Sequence, residues 1–246
     1  MGWNNENAAI HQPLVVDCET APLPNARDFI DAPYLTDITV PKTYKKDKAI
    51  KDYIARETAH RLADYEKDCT ETAALDWNCA RIIALGWLDI STGDVTAHMC
   101  HTHQDEGKAL ADFWYVAWQR PIVGFCIKTF DLPLMIQRSR YLGVAYPRLD
   151  LGRYAKGDQI IDLYDLLTFN NVQHTHVMHR TVQNFARRFG IPVTDTVTGA
   201  DIPALFKAGN WDAITAHITS DLRLEAALAE RLGVLTVPTR AVEAVV

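Results

Sequence analysis

Asp17, Glu19, Asp131 and Asp221 are the acidic residues whose settings suggest chemistry, and His217 accompanies the last of them. Asp17 and Glu19 follow the short apolar run Leu14-Val15-Val16. Side chains of extended chain repeat their direction every second residue, so the two carboxylates converge on one point. An Asp-x-Glu triplet alone carries little weight, since roughly one arises by chance in a chain of this length. Its place at the end of a buried strand gives it meaning. Converging carboxylates raise each other's proton affinity unless a cation neutralises them, and hard oxygen ligands suit Mg²⁺ or Mn²⁺.

Asp131, in Phe130-Asp131-Leu132-Pro133, comes just after Gly124-Phe125 and opens a helix. There it could equally cap the helix N-terminus. Asp221 lies on a helical stripe with Ile214, His217, Ile218, Glu225, Leu228 and Leu232. A carboxylate on a core-facing stripe is costly without a partner. His217 stands one turn before it on the same face, and a solvent-facing helix edge is the alternative for this pair.

The elements that must position these residues follow from periodicity and punctuation. Leu14–Val16 reads as a buried central strand with Asp17 emerging at the sheet edge. A loop rich in proline (Pro22, Pro24, Pro33, Pro41) leads to a solvated helix from Lys45 to about Cys69, whose charges nearly balance. A surface helix and a substrate clamp are the two readings of that segment. Arg81–Ile90 and Val95–His101, joined by Ser91-Thr92-Gly93-Asp94, predict an antiparallel hairpin beside the first strand. A helix over Asp105–Gln119, a strand over Pro121–Phe125 and a helix from Phe130 to Leu142 come next. The apolar segment Ile160–Leu167 precedes a helix near Val182–Phe189, and a strong helix spans Trp211–Leu232. Glycines 143, 190 and 233 stop the last three helices. No internal repeat and no Gly/Ser linker is evident, which predicts one α/β domain with a mixed sheet.

Taken together, the acidic residues and their surroundings resemble the DEDD-type 3′–5′ exonucleases of the ribonuclease-H-like superfamily. The likeness is closest to the proofreading exonuclease domain of family B DNA polymerases and its stand-alone, often phage-encoded relatives. VVDCET resembles their first motif, VGFCIKTFDLPLM their second and HITSDLRLEAAL their third. IIDLYDLL and the helix ending in FGIPV extend the likeness, which runs from about Leu14 to Leu232. It implies an α/β ribonuclease-H-like fold with a central mixed five-stranded sheet flanked by helices and a helical insertion after the first strand. The core would occupy about 14–28 and 80–233, the insertion 29–79 and a C-terminal tail 234–246. Two departures from the family pattern stand out. Cys126 takes a place that is usually polar, often Asn. The third motif usually has Tyr four residues before its Asp or His five before, whereas here His217 takes the Tyr spacing and Ala216 the other.

The resemblance implies hydrolysis of the terminal phosphodiester of a DNA strand, single-stranded by preference, with two Mg²⁺ or Mn²⁺ ions. Asp17 would bridge both ions, Glu19 and Asp221 would complete the first site, and Asp131 would hold the second through water. His217 would orient or deprotonate the attacking water, imidazole being the side chain that exchanges protons near neutrality. Thr20, Phe125, Phe130 and Asp162 are candidate substrate contacts, with Arg138, Arg140, Arg187 and Arg188 as candidate phosphate contacts. Each of these is otherwise core or ordinary surface, and Asp162 could serve as a cap. An RNA-trimming enzyme of the same fold is the nearest variant. A nucleic-acid-binding module without turnover is the reading from another class.

Composition bounds these readings. With 48% hydrophobic and 23% charged residues among 246, the chain is neither disordered nor of low complexity. Its net charge of −6 argues against a wide basic face for duplex DNA. Two divalent ions would cancel four of those charges, which leaves a short grip on a strand end. Five scattered cysteines without a CxxC pair predict a reduced, cytoplasmic protein. The triplet His174, His176, His179 and the group His98, His101, His103 lack the frame of a zinc site. No signal peptide or membrane span is expected, and Met1-Gly2 alone is too weak a myristoylation signal. DNA or RNA 3′ ends are the expected partners, together with replication or repair proteins.

Overall fold

Leu14-Val15-Val16 begins a strand that does not stop at Asp17: β1 runs Leu14–Pro22. The structure, a computed structural model, describes residues 12–152, 159–169 and 179–235. After β1 come α1 (Asp47–Thr70), the hairpin β2 (Ala80–Asp89) and β3 (Val95–Met99), and α2 (His103–Val116). These are followed by β4 (Ile122–Gly124), α3 (Asp131–Leu142), β5 (Ile160–Asp162) and α4 (Leu163–Leu167). The chain then forms α5 (Val182–Arg188), α6 (Ile202–Lys207) and α7 (Trp211–Arg231).

The five strands make one mixed sheet in the order β3-β2-β1-β4-β5. β2 and β3 pair antiparallel, with Ala84 opposite Met99 and Leu88 opposite Val95, as the hairpin signal predicted. β1 is parallel to β4, and β4 to β5. The first eight residues of β1 and the first nine of β2 are buried at all but one position. Strands covered on both faces read as continuous apolar runs, which is how Ile82–Leu88 reads.

The chain divides into two compact units, Ala21–Arg81 and the remainder. In the smaller unit, Leu23, Ala26, Ala73 and Cys79 form a core of their own, with Ile30 against it. Along α1 only Cys69 is buried, so this helix is the solvated one expected. It is tied to its own unit by polar contacts: Arg27 with Glu66, and Arg61 with Asp37 at 2.7 Å.

In the larger unit, α2 and α3 pack together, and α7 packs on β3, β4, α5 and α6. α2 starts two residues earlier than its apolar period suggests, because Thr102 and Asp105 form a reciprocal capping box. Glu106 of α2 is buried and accepts from the Ile82 N–H at 2.9 Å and from Arg138 of α3 at 2.7 and 2.9 Å. Arg138 is therefore a core residue, not a phosphate contact. Ile218 and Leu222 of α7 lie so close over Gly86 that a Cβ there would sit 2.8 Å from Leu222 Cδ1. A glycine in β2 is what lets the last helix reach the sheet.

Candidate active site

β4 is short. Leu14 pairs with Ile122 and Val15 with Val123, so β4 ends at Gly124 while β1 continues. Asp17 and Glu19, two apart on β1, project past the carboxyl end of their parallel neighbour. Ligands of open α/β sheets bind in such a place. At Gly124 the chain turns so tightly that a Cβ would meet the Val16 carbonyl oxygen at 2.7 Å and Ile127 Cγ2 at 2.2 Å.

That turn delivers Asp131. Phe130 is the N-cap of α3 and makes no side-chain cap bond, and Asp131 is the first helical residue. A carboxylate in the first turn suits the helix dipole. Asp131 is buried and accepts from the Cys18 thiol at 3.1 Å. Its pKa is raised to about 6, first by burial, with hydrogen bonds from Cys18 and the backbone opposing the rise.

Asp162 secures the same turn. Its Oδ1 accepts from the N–H of Cys126 at 3.1 Å and of Tyr164 at 2.9 Å, and its Oδ2 from that of Lys128 at 3.0 Å. With Asp165 N–H at 3.4 Å it also caps α4. Asp162 thus spends its carboxylate on backbone N–H groups, the capping role weighed for it.

α7 brings the remaining residues. Asn210 caps it by accepting from Ala213 N–H at 3.2 Å, and His217 and Asp221 follow one turn apart. His217 is only 1% exposed, which removes the solvent-facing helix edge as an account of the pair. Its Nε2 lies 3.3 Å from Glu19 Oε1 and 3.6 Å from Asp221 Oδ2. Its Nδ1 lies 2.7 Å from Asp195 Oδ2. Burial acts to raise the Asp195 pKa, but the bonds from His217 and the Val197 N–H outweigh it and lower it. An ionised carboxylate only accepts, so the hydrogen of this pair sits on Nδ1.

The acids also feel one another. Burial, then Asp131 and Asp221, push the Asp17 pKa well above its usual range. Burial, then Asp17, Asp221 and Asp131, do the same to Glu19. Asp221 is raised by burial and Asp195, while His217 and a hydrogen bond from Gln183 oppose the rise. Among the described residues, the group whose ligand atoms lie within 4.8 Å of one another is Asp195, His217 and Asp221. The four expected carboxylates do not make up that group: of them only Asp221 enters it, together with His217 and Asp195. Asp195 and Gln183 are the site residues that sequence reasoning missed. Glu225, one turn beyond Asp221, was visible on the stripe but carried no role.

The other candidates are distributed as follows. Thr20 is buried on β1. Phe125 is half-buried against Tyr164 and Phe185, with ring centroids 5.5 and 6.1 Å away, and Phe130 is also half-buried. Arg140 bonds the Tyr146 hydroxyl at 2.9 Å and Arg187 bonds Asn184 at 3.3 Å. His98 stacks on Trp87, His101 lies against Trp211 and His103 approaches Glu106. None of the three joins a metal-binding group among the described residues. His174, His176 and tail residues 236–246 lie outside the described residues. Among those described, no helix is long and apolar enough to cross a membrane.

Comparison with known proteins places this arrangement. Residues 74–223 match the family described as predicted 3′–5′ exonucleases related to the exonuclease domain of PolB. That stretch carries Asp131, Asp162, Asp195, His217 and Asp221, while Asp17 and Glu19 precede it. No curated protein matches the chain. Among solved structures, the family B DNA polymerase of the hyperthermophilic archaeon Pyrobaculum calidifontis superposes with a TM-score of 0.57 at 15% identity. The superposition covers 90% of this chain and 24% of the polymerase, so the chain spans about a quarter of that enzyme. The fold is the expected ribonuclease-H-like arrangement of a mixed five-stranded sheet flanked by helices. Because the family match extends over more than half of its length, this chain belongs to the predicted 3′–5′ exonucleases related to the exonuclease domain of PolB.

Proposed function

We propose that the protein is a divalent-metal-dependent 3′–5′ exonuclease acting on the ends of single DNA strands. The observation that carries this reading is the convergence of Asp17, Glu19, Asp131 and Asp221 beyond the end of β4, where burial raises the proton affinity of each. The donor set fits Mg²⁺ or Mn²⁺, since it is all carboxylate oxygen, hard and negatively charged. Asp17 would be shared by two ions, Glu19 and Asp221 would hold the first, and Asp131 the second. When bound, such ions lower the pKa of water and stabilise charge on the leaving oxygen.

The protein's own residues supply positioning and proton transfer. Asp195 fixes the ring of His217, so that Nε2 faces the gap between Glu19 and Asp221. From there His217 orients the attacking water and receives its proton. The water oxygen bonds to the terminal phosphorus as the bond to the 3′ oxygen of the preceding nucleotide breaks. The departing 3′ oxygen takes a proton from solvent water, and His217 returns its own to solvent, which leaves a nucleoside 5′-monophosphate and a strand with a new 3′-hydroxyl. Phe125, on the turn between β4 and α3, would stack on the last base.

The test is a time course on 5′-labelled single-stranded DNA with Mg²⁺ or Mn²⁺, run beside duplex DNA, RNA and an EDTA control. Stepwise shortening from the 3′ end is expected, fastest on single-stranded DNA and abolished by Asp17→Ala or Asp221→Ala. Undiminished shortening by either variant overturns the assignment. Faster shortening of RNA would replace DNA with RNA as the substrate.

A further inference from the structure

Glu225 is a buried acid that the mechanism above does not use and, unlike Glu106 and Asp162, one with an oxygen left without a donor among the described residues. It stands one turn after Asp221 and two after His217 on α7, so the three side chains share one face. It is 4% exposed, and its Oε2 has no hydrogen-bond partner among the described residues. Its proton affinity is raised well above the usual range, first by burial and then by Asp17, Asp131, Asp221 and Asp162. The acids of the centre are thus the main charged neighbours of this carboxylate. Burying a carboxylate without a donor is costly, and a leucine or methionine on the stripe would avoid that cost. A hydrated divalent ion is the partner whose chemistry answers an orphaned carboxylate oxygen facing other carboxylates.

We propose that Glu225 is a fifth carboxylate of the metal centre, which holds the second ion together with Asp17 and Asp131, directly or through that ion's water. The inference rests on the two-ion reading given above. Asp17 and Asp131 are the strongest of its charged neighbours, and they are the pair assigned to the second ion. Otherwise that ion would have only one shared carboxylate and one held through water.

The test is titration of Mn²⁺ into the full-length protein by calorimetry, with no substrate present. Wild type is expected to bind two ions. Glu225→Gln keeps the first affinity and weakens the second by about tenfold or more, the range seen when residues supporting a metal are removed. Asp221→Asn weakens the first instead. Glu225→Met fills the same volume without a polar atom and should bind as the Gln variant does, so a folding failure of one leaves the other to decide. Unchanged binding of both ions by either folded Glu225 variant overturns the proposal and leaves the two-ion reading intact. Failure of wild type to bind a second ion overturns both.

Discussion

Asp195 Oδ2 lies 2.7 Å from His217 Nδ1, and this contact decides where the other ring nitrogen points. The histidine occupies the position four residues before Asp221, the spacing at which the family pattern has tyrosine. A tyrosine has one polar atom, whereas an imidazole has two and needs the inner one satisfied when buried. Asp195 meets that need from a segment 22 residues upstream.

Removing the anchor should therefore damage turnover more than binding. Asp195→Asn is expected to lower kcat by about a hundredfold, at the low end of general-base effects, with KM little changed. Asp195→Asn combined with His217→Ala should be no slower than His217→Ala alone, since both act through one ring. Single-turnover rates on labelled strands measure this. Additive losses would show that Asp195 acts independently of His217.

Charge crowding also governs stability. Asp17, Glu19, Asp131 and Glu225 bind protons more tightly in the folded protein than in an unfolded chain. In that situation the native state holds more protons, so stability falls as pH rises from about 4 through the raised values. Asp131 alone, raised from 3.8 to about 6, corresponds to about 3 kcal/mol lost by neutral pH. Asp89 runs the other way. Its bonds from Arg120 lower its pKa to about 2 against the opposing effect of burial, so its stabilisation fades only below pH 4. In EDTA the thermal midpoint should rise on acidification from pH 8 to 5, and Mg²⁺ at pH 8 should recover most of the difference. A midpoint independent of pH in EDTA would contradict this account.

The sequence made the frame legible because local signals set it. The Ser91–Asp94 turn forecast the hairpin, and Gly143, Gly190 and Gly233 close their helices with φ of 68, 74 and 71°. Asp17 and Glu19 were readable because a period of two is a property of the backbone. The rest depends on distant contacts. Asp195 and Gln183 sit in segments with no distinguishing pattern and matter only because the fold carries them to α7. Arg138 stayed open between a phosphate contact, core and surface because Glu106, its partner 32 residues away, cannot be inferred from spacing.

That pair yields a stability prediction free of any assumption about function. Arg138→Ala leaves Glu106 buried without its cationic partner and still bonded to the Ile82 N–H. Breaking a buried pair from one side costs about 3–5 kcal/mol, mostly for the stranded charge. Arg138→Met with Glu106→Gln should recover part of that loss, because no uncompensated charge remains. Denaturant unfolding of the two variants reads this. Equal stability of Arg138→Ala and wild type would mean that the buried Glu106 carboxyl needs no cationic partner.

Cys126 offers the opposite case, a position where the chain should gain from substitution. Its φ is 61°, a left-handed conformation that costs an ordinary side chain about 1 kcal/mol and that Asn and Gly tolerate better. The backbone cannot relax. Its N–H is bonded to Asp162, and its carbonyl accepts from the Thr129 N–H and hydroxyl at 3.0 Å and the Phe130 N–H at 3.1 Å. Nor does the thiol compensate through reactivity, since burial and then Asp162 push its pKa to about 12. Cys126→Asn, the residue frequent at this place in the family pattern, should stabilise by about 0.5–1 kcal/mol. For a chain of this size that is a rise in Tm of about 1–4 °C. Cys126→Gly should gain similarly, whereas Cys126→Ala keeps a Cβ at the same φ and should not gain. If Ala stabilised as much as Asn, the thiol and not the backbone would be the source of strain.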